Sequence, residues 1–327
     1  MNGPRISIAG AGNIGCFIGG LLVHAGFDVR FLARPPVVEA INEHGLHLTD
    51  FGGLDLRLTD VEVLEDEEQA LTGADLVLVC VKAGGTEAMG RVVNKYARGA
   101  QVLSLQNGVE NAATLRMELP GVDVRAGMVP FNVISEAPGH YHRGTSGDIL
   151  IEQGPLPDLS STHLVWRSVD NIEGVQWGKL LINLTNAVNA LADMPLLDQL
   201  NDRKWRLLLA DQMIEALRVL RAAKITPAKT SAAPPGLIPH ILRLPTPVFR
   251  VVASQMLTID GQARSSMWDD LNQGRKTEID VLQGAILQLA GRFGRQAPLN
   301  ARMRTLIRAA EAAGDGPPGL SVEQIRS

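Results

Sequence analysis

Polar side chains suited to catalysis interrupt an apolar run at residues 177–191, which reads WGKLLINLTNAVNAL. At about 100° per residue, an α-helix places Asn183 roughly 40° and Asn186 roughly 20° from Lys179, so the three share one face. Desolvating an unpartnered ammonium is costly, so this face should meet water, a carboxylate or a ligand. A positioned ammonium can stabilise charge on a carbonyl oxygen and donate a proton to it. The structural alternative is a lysine that snorkels out of a core helix.

A second group, at residues 265–280, reads SSMWDDLNQGRKTEID and adds a hydroxyl and a carboxylate. The Glu278 carboxylate could hold Lys179 or a substrate hydroxyl, and Ser266 could hydrogen-bond a substrate carboxylate. The structural alternative for Glu278 is an acid favoured by the dipole at a helix N-terminus. For Ser266 and Asp270 it is the N-cap and first turn of the same helix.

A glycine turn, GAGNIG at residues 10–15, follows an apolar strand and opens an apolar helix. Gly10, Gly12 and Gly15 have the G-x-G-x-x-G spacing, which suits a tight turn, a close approach to a pyrophosphate and close helix–strand packing. The helix N-terminus, with Asn13 and Ile14, supplies free N–H groups. This context predicts dinucleotide binding, although the same glycines could merely tighten a turn.

The second strand, in VRFLARPP, ends without the acid that would bond a free ribose 2′-hydroxyl. Arg34 lies there instead, where a guanidinium could meet a 2′-phosphate, so NADP is favoured over NAD. Arg30 is the reserve candidate, and a solvated strand-end arginine is the alternative. Two further strands end in Lys82 and in Gln106-Asn107, on the side where parallel sheets bind ligands, although Asn-Gly is also a common turn.

The elements that must position these residues fall into two groups. Alternating β-branched and helical segments from residue 5 to about 130 predict βαβ units, with a hairpin inserted at LHLTDFGGLDLRL. Residues 124–153 should extend the sheet in antiparallel sense. From Trp177 the apolar spacing is helical through 177–195, 203–223, 248–258 and 277–293. Six prolines in 226–249 predict an irregular excursion over the surface.

The composition narrows the class of partner. The 327 residues favour two domains, and the net charge of −4 provides no basic field for nucleic acid. Glycines at 10, 12, 15, 19 and 20 argue against a membrane helix or signal peptide at the N-terminus. Two cysteines, Cys16 and Cys80, fit buried thiols in a reducing compartment, so we expect a cytoplasmic protein. Histidine spacing, including the His140-x-His142 pair, leads us to expect no metal.

Five segments together resemble the ketopantoate reductases, or 2-dehydropantoate 2-reductases, in order and approximate spacing over nearly the whole chain. They are GAGNIG, VKAGGTEA, SLQNGVEN, WGKLLINLTNAVNAL and SSMWDDLNQGRKTEID. The resemblance implies an α/β fold, with an N-terminal Rossmann NADP-binding domain (1–172) and an all-helical substrate and catalytic domain (173–327). It also implies an active site in the cleft between them and NADPH-dependent reduction of a 2-keto acid to pantoate for coenzyme A synthesis.

The same resemblance assigns roles by position. Lys179 matches the catalytic lysine and Asn183 the first substrate-binding asparagine. Ser266 and Glu278 match the serine and glutamate of the C-terminal motif, and Asn107 matches an asparagine near the nicotinamide and the lysine. The expected sets are catalytic (Lys179, Glu278), substrate-binding (Asn107, Asn183, Asn186, Ser266) and cofactor-binding (Gly10, Gly12, Asn13, Ile14, Gly15, Arg34, Lys82, Asn107, Glu278), with no metal ligand.

One departure concerns the substrate. The family often places its second asparagine four residues after the first, where this chain has Ala187 and offers Asn186 instead. The alternatives are therefore a reductase of a different 2-keto or 3-hydroxy acid, or a non-catalytic NADPH-sensing protein. The expected partner is a small 2-keto acid, with no nucleic acid and no membrane, and a homodimer is compatible with the sequence.

Overall fold

The structure is a computed structural model that describes residues 3–230, 233–257 and 261–327, apart from the side chains of 255 and 256. The chain divides into two compact units, with the boundary between Ile172 and Glu173. The first unit is α/β, and the regular elements described in the second are helical. The fold class predicted from the sequence is confirmed.

The described residues of the first unit form twelve strands and five α-helices. Its strands are β1 (Arg5–Ala9), β2 (Asp28–Leu32), β3 (Leu46–Asp50), β4 (Asp55–Leu58), β5 (Glu62–Leu64), β6 (Leu76–Val79), β7 (Gln101–Ser104), β8 (Val124–Met128), β9 (Val133–Ala137), β10 (His140–Arg143), β11 (Ile149–Glu152) and β12 (Trp166–Val169). Its helices are α1 (Asn13–His24), α2 (Pro35–His44), α3 (Glu67–Leu71), α4 (Thr86–Tyr96) and α5 (Asn111–Glu118).

Eight strands form the main sheet, in the order β12-β11-β8-β7-β6-β1-β2-β5. The six from β5 to β8 run parallel, and β11 pairs antiparallel with β8. The chain moves outward from β1 in one direction through β2 and in the other through β6, so the strand order reverses between β1 and β6. Ligands of open parallel sheets bind beyond the strand ends at such a reversal.

A smaller sheet, in the order β4-β3-β10-β9, covers α1. The predicted hairpin is confirmed as the antiparallel pair β3–β4. The prediction for 124–153 is correct only for β11: β8 extends the parallel sheet, whereas β9 and β10 join the smaller one. A Cβ on Gly19 would lie 2.3 Å from Phe31 of the main sheet, and one on Gly20 2.7 Å from Leu48 of the smaller sheet. The glycines of α1 therefore allow close packing of both sheets.

The second unit contains ten helices among its described residues. They are α6 (Ile172–Asn183), α7 (Thr185–Ala192), α8 (Leu196–Asn201), α9 (Arg203–Ala222), α10 (Ile238–Leu242), α11 (Thr246–Val252), α12 (Ser266–Asn272), α13 (Ile279–Arg292), α14 (Pro298–Ala313) and α15 (Val322–Arg326). The helical prediction for the second unit is correct, although it missed α8, α14 and α15. A 3₁₀ turn over Ser254–Leu257 follows α11. Position 258, the last of the predicted helical stretch 248–258, lies outside the described residues. No described helix is long and apolar enough to cross a membrane.

The proline-rich segment is more ordered than predicted. It contains α10 and α11, each with a proline in the first turn, where a helix needs no N–H donor. Arg206, fully buried in α9, donates hydrogen bonds to the carbonyl oxygens of Leu242 and Leu244, and its guanidinium lies 4.2 Å from the Phe249 ring centroid. This buried cation therefore helps to anchor the segment to the helical core.

Three histidines share one face of the smaller sheet. The rings of His47 and His140 stack with centroids 4.0 Å apart. Thr49 Oγ1 lies 2.9 Å from both His140 Nε2 and His142 Nδ1. Burial lowers the pKa of His140, and the neighbouring His47 lowers it further. Within the described ranges, no three His, Cys, Asp or Glu side chains are arranged to hold a metal ion.

This histidine face predicts acid sensitivity. The pKa of His140 in the folded state lies below the ordinary value of 6.5. The neutral imidazole therefore contributes to stability above pH 6.5, and this contribution is lost as the pH falls through the folded-state pKa. His140→Gln should therefore flatten the fall in the free energy of unfolding on acidification. Urea denaturation of both proteins at several pH values below neutrality measures it. Identical pH dependence in the two proteins would contradict the prediction.

Candidate active site

The glycine turn joins β1 to α1, and its three glycines differ in their surroundings. Gly10 has φ of +93°, and a Cβ there would lie 2.3 Å from Val81 Cγ1. A Cβ on Gly15 would lie 2.9 Å from the Gly10 carbonyl oxygen. No heavy atom lies within 4 Å of the Cβ position of Gly12. Packing therefore explains Gly10 and Gly15, whereas Gly12 faces open space that another molecule can approach.

The first turn of α1 offers unused hydrogen-bond donors. The first helical bond runs from the Cys16 N–H to the Gly12 carbonyl over 2.8 Å. Across the described parts of the chain, the N–H groups of Asn13, Ile14 and Gly15 bind no acceptor. The Asn13 side chain donates to the Val133 carbonyl, so only its backbone is available here. A helix N-terminus with free N–H groups attracts anions such as phosphate.

The two arginines near the end of β2 have different environments. The Arg30 guanidinium pairs with Glu62 over 3.1 Å and donates to the Gln69 carbonyl. Arg34 lies at the N-cap position of α2 with an exposed side chain, which hydrogen-bonds to no residue that the structure describes. Arg34 is therefore the arginine available to an external phosphate.

The loops after β6 and β7 are joined by a buried amide. Gln106 Nε2 donates to the Val81 carbonyl over 3.0 Å and to Thr86 Oγ1 over 2.6 Å. The Asn111 side chain, also buried, donates to the Asn107 carbonyl over 2.6 Å. Gln106 therefore holds the loops together rather than facing a ligand. In the same two loops, the Lys82 side chain is exposed and Asn107 is half-buried.

In the second unit, Lys179 and Asn183 lie one turn apart on α6, and Asn186 lies at the start of α7. Leu184 separates the two helices, with its carbonyl accepting a hydrogen bond from the buried Gln283 amide over 3.3 Å. Asn183 and Asn186 are half-buried, and their side-chain amides have no hydrogen-bond partner in the described residues. Such amides are suited to binding a polar ligand, because leaving buried donors unpaired is costly.

Burial lowers the pKa of Lys179 to about 8, and Glu278 opposes this shift by raising it. Glu278 occupies the N-cap position of α13, but its side chain accepts no capping hydrogen bond. Its charge instead acts on Lys179, whose pKa it raises against the effect of burial. A lysine whose pKa lies near 8 can both give and take a proton at neutral to mildly alkaline pH.

Ser266 begins α12 with an exposed side chain, and the N-cap of this helix is the preceding residue. The Ser265 hydroxyl accepts from the Trp268 N–H over 3.2 Å. The alternative that Ser266 is the N-cap and Asp270 a first-turn residue is therefore wrong in both positions: the cap is Ser265, the acid of the first turn is Asp269, and Asp270 pairs with Arg275 over 2.9 Å. Ser265 was missed because adjacent serines leave the cap position ambiguous.

The structure thus distributes the predicted residues over both units. The first unit carries the glycine turn, Arg34, Lys82 and Asn107. The second carries Lys179, Asn183, Asn186, Ser266 and Glu278. The sequence analysis did not identify Asn189, which is fully buried on α7 among the candidate residues of the second unit. Its position three residues after Asn186 was the available signal.

Comparisons with known proteins agree with this division. A family model described as ketopantoate reductase PanE/ApbA matches residues 6–155, and its C-terminal counterpart matches residues 171–311. The chain is 27% identical to a 2-dehydropantoate 2-reductase of Pyrococcus horikoshii, covering 95% of this chain and 99% of the relative.

Solved structures give the same result. A PanE/ApbA family ketopantoate reductase from Ralstonia eutropha superposes with a TM-score of 0.80 at 30% identity, over 95% of this chain and 99% of the other. A D-mandelate dehydrogenase in a ternary structure with NADH has a TM-score of 0.79 at 22% identity, with the same coverage of the two chains, which shows a shared fold. The chain belongs to the ketopantoate reductase PanE/ApbA family.

Proposed function

We propose that this protein is an NADPH-dependent 2-dehydropantoate 2-reductase that reduces ketopantoate to pantoate for coenzyme A synthesis. The observation that carries the proposal is the half-buried Lys179, whose pKa burial lowers to about 8 against the opposing effect of Glu278, together with the unpaired amides of Asn183 and Asn186. The names of the curated relatives support the same activity.

In the proposed reaction, bound NADPH supplies a hydride to the ketone carbon. The Lys179 ammonium stabilises the negative charge that develops on the ketone oxygen and then donates its proton there, which completes the alcohol. Asn183, Asn186 and Ser266 hold the carboxylate and hydroxyl groups of the acid. Glu278 keeps the ammonium oriented and raises its pKa, so that more of the lysine is protonated at neutral pH.

The proposed cofactor-binding residues belong mainly to the first unit. The N–H groups of Asn13, Ile14 and Gly15 suit a pyrophosphate that approaches over Gly12, and the exposed Arg34 suits the 2′-phosphate. Lys82 and Asn107, together with Glu278, would contact the rest of the cofactor. We therefore propose residues 1–172 as the NADP-binding domain and residues 173–327 as the substrate and catalytic domain.

A substrate panel tests the activity. NADPH oxidation is measured with ketopantoate, pyruvate, 2-oxoisovalerate and buffer alone, and ketopantoate should give the largest kcat/KM. The second candidate, a reductase of another 2-keto acid, is favoured by the buried Ala187 at the position where the family often has an asparagine. A larger kcat/KM with one of the other acids would support it. Cofactor binding without turnover on any acid would support an NADPH sensor.

Assembly and location are also proposals. Three valines of α11 expose apolar surface, namely Val248, Val251 and Val252, which supports a homodimer. Sedimentation velocity would measure the mass of the assembly.

The two cysteines, Cys16 and Cys80, are free thiols. Free thiols support location in a reducing compartment, the cytoplasm.

The first prediction for the proposed activity concerns Lys179. Because its pKa is about 8 and the reduction needs the ammonium, kcat/KM for reduction should fall above about pH 8, while the reverse oxidation should rise through the same range. Lys179→Ala should lower the rate by about 10² to 10⁴ and leave NADPH affinity nearly unchanged. Glu278→Gln removes the carboxylate that raises the pKa of Lys179, so the apparent pKa of the kcat/KM profile should be lower in this variant than in the wild type. Wild-type turnover by Lys179→Ala would exclude the role.

Two glycines of the turn provide a matched pair. Gly15→Ala overpacks against the Gly10 carbonyl, which should cost about 1–3 kcal/mol and lower Tm. Gly12→Ala meets no protein atom, so it should leave Tm unchanged and weaken NADPH at least about 10-fold by blocking the close approach of the pyrophosphate. Melting curves and fluorescence titrations measure both. Tight NADPH binding by a well-folded Gly12→Ala would contradict the proposed phosphate site.

Cofactor choice should depend on Arg34. A bidentate guanidinium–phosphate pair contributes roughly 1.5–3 kcal/mol, or about 10-fold to 150-fold in affinity. Arg34→Ala should weaken NADPH by that factor and leave NADH nearly unchanged. Arg30→Ala is the control: it should lower Tm, because it loses the Glu62 pair, and preserve the ratio of the two affinities. Equal losses of NADH and NADPH in Arg34→Ala would show that this arginine reads no 2′-phosphate.

A further inference from the structure

The start of α12 is hydrogen-bonded to α7 at two points. The Ser265 N–H donates to Asn189 Oδ1 over 2.9 Å, and the Ser265 hydroxyl donates to the Asn186 carbonyl oxygen over 3.1 Å. Ser265 is 4% exposed and Asn189 is 0% exposed. Both bonds are thus shielded from competing water and fix the backbone of one helix against the other.

The orientation of the Asn189 amide is itself fixed. Its Nδ2 donates to the Met194 carbonyl oxygen over 2.9 Å and lies 3.4 Å from Gln199 Oε1. Because the nitrogen faces two acceptors, the oxygen must face the Ser265 N–H. Asn189 therefore joins three segments, namely α7, the chain after it, and the N-terminus of α12.

These bonds reach the backbone of two proposed substrate-binding residues. Ser266 is the residue next to Ser265, and Asn186 supplies the carbonyl that the Ser265 hydroxyl binds. An N-cap serine needs only its bond from the Trp268 N–H to stabilise the helix. The bonds to Asn186 and Asn189 go beyond capping, since they set the distance between the Ser266 hydroxyl and the asparagine-bearing helix.

We propose that Ser265 and Asn189 are positioning residues for the keto acid, holding Ser266 in register with Asn186. The inference rests on the proposed reductase function. A substrate held by side chains on two elements loses binding when those elements shift by a fraction of an ångström. The loss should therefore appear in the KM of the acid rather than in cofactor affinity, because the proposed phosphate contacts lie in the first unit.

Ser265→Ala tests the proposal, with the acid preferred in the substrate panel. It should raise the KM of that acid about 10-fold, as loss of a positioning hydrogen bond would. The kcat should fall less, and the Kd of NADPH should stay within about 2-fold. Ser265→Thr keeps a hydroxyl and should restore the KM to within about 3-fold of the wild type. Ser265→Gly, which is tolerated at an N-cap, removes the hydroxyl with a smaller loss of stability and serves if the alanine variant fails to fold.

Ser321→Ala is the matched control, because Ser321 caps α15 through the same kind of hydroxyl bond, to the Gln324 N–H. It should lower Tm without changing the KM. A wild-type KM in folded Ser265→Ala and Ser265→Gly would overturn the positioning role, as would an equal rise in KM in Ser321→Ala. Absence of turnover by the wild type with every acid would instead overturn the proposed function, a result seen before any variant is made.

Discussion

The second unit must accommodate one half-buried ammonium group, that of Lys179, on the apolar helix α6. The rest of the candidate site in this unit depends on that constraint. Desolvation lowers the pKa of Lys179 to about 8, and a fully unpartnered cation there would lose its charge or destabilise α6. Glu278, supplied by the N-terminus of α13, opposes that shift. The two groups come from distant parts of the chain, so the effect depends on how α6 and the N-terminus of α13 are arranged in the second unit. The proposed acid chemistry follows from the balance of these two effects.

Buried amides position the candidate residues in both units. In the first unit, Gln106 joins the loops that carry Lys82 and Asn107. In the second, Asn189 joins α7 to the start of α12, next to Ser266. A buried amide must satisfy both its donor and its acceptor atoms, so it accepts only one arrangement of its neighbours. The candidate residues beside these amides are consequently held in place by buried hydrogen bonds.

Closely packed glycines determine how near α1 lies to the two sheets of the first unit. Gly15 and Gly19 allow the helix to approach the main sheet, and Gly20 allows the smaller sheet to cover it. Gly12 alone in this series has open space at its Cβ position. The same residue type therefore serves packing at three positions and leaves open space at the fourth, where we propose that the cofactor approaches.

The sequence by itself determined the α/β unit, the helical unit and the residue types of the candidate site. Those features depend on local periodicity and short motifs, which the chain carries within a few residues. Only the tertiary structure decided that Arg30 pairs with Glu62 while Arg34 stays exposed, and that Gln106 is structural. It also decided that Ser265 caps α12 and that β9 and β10 leave the main sheet. Apart from the cap, whose partner Trp268 lies three residues away, these outcomes depend on partners tens of residues away, whose distance and burial no local pattern encodes.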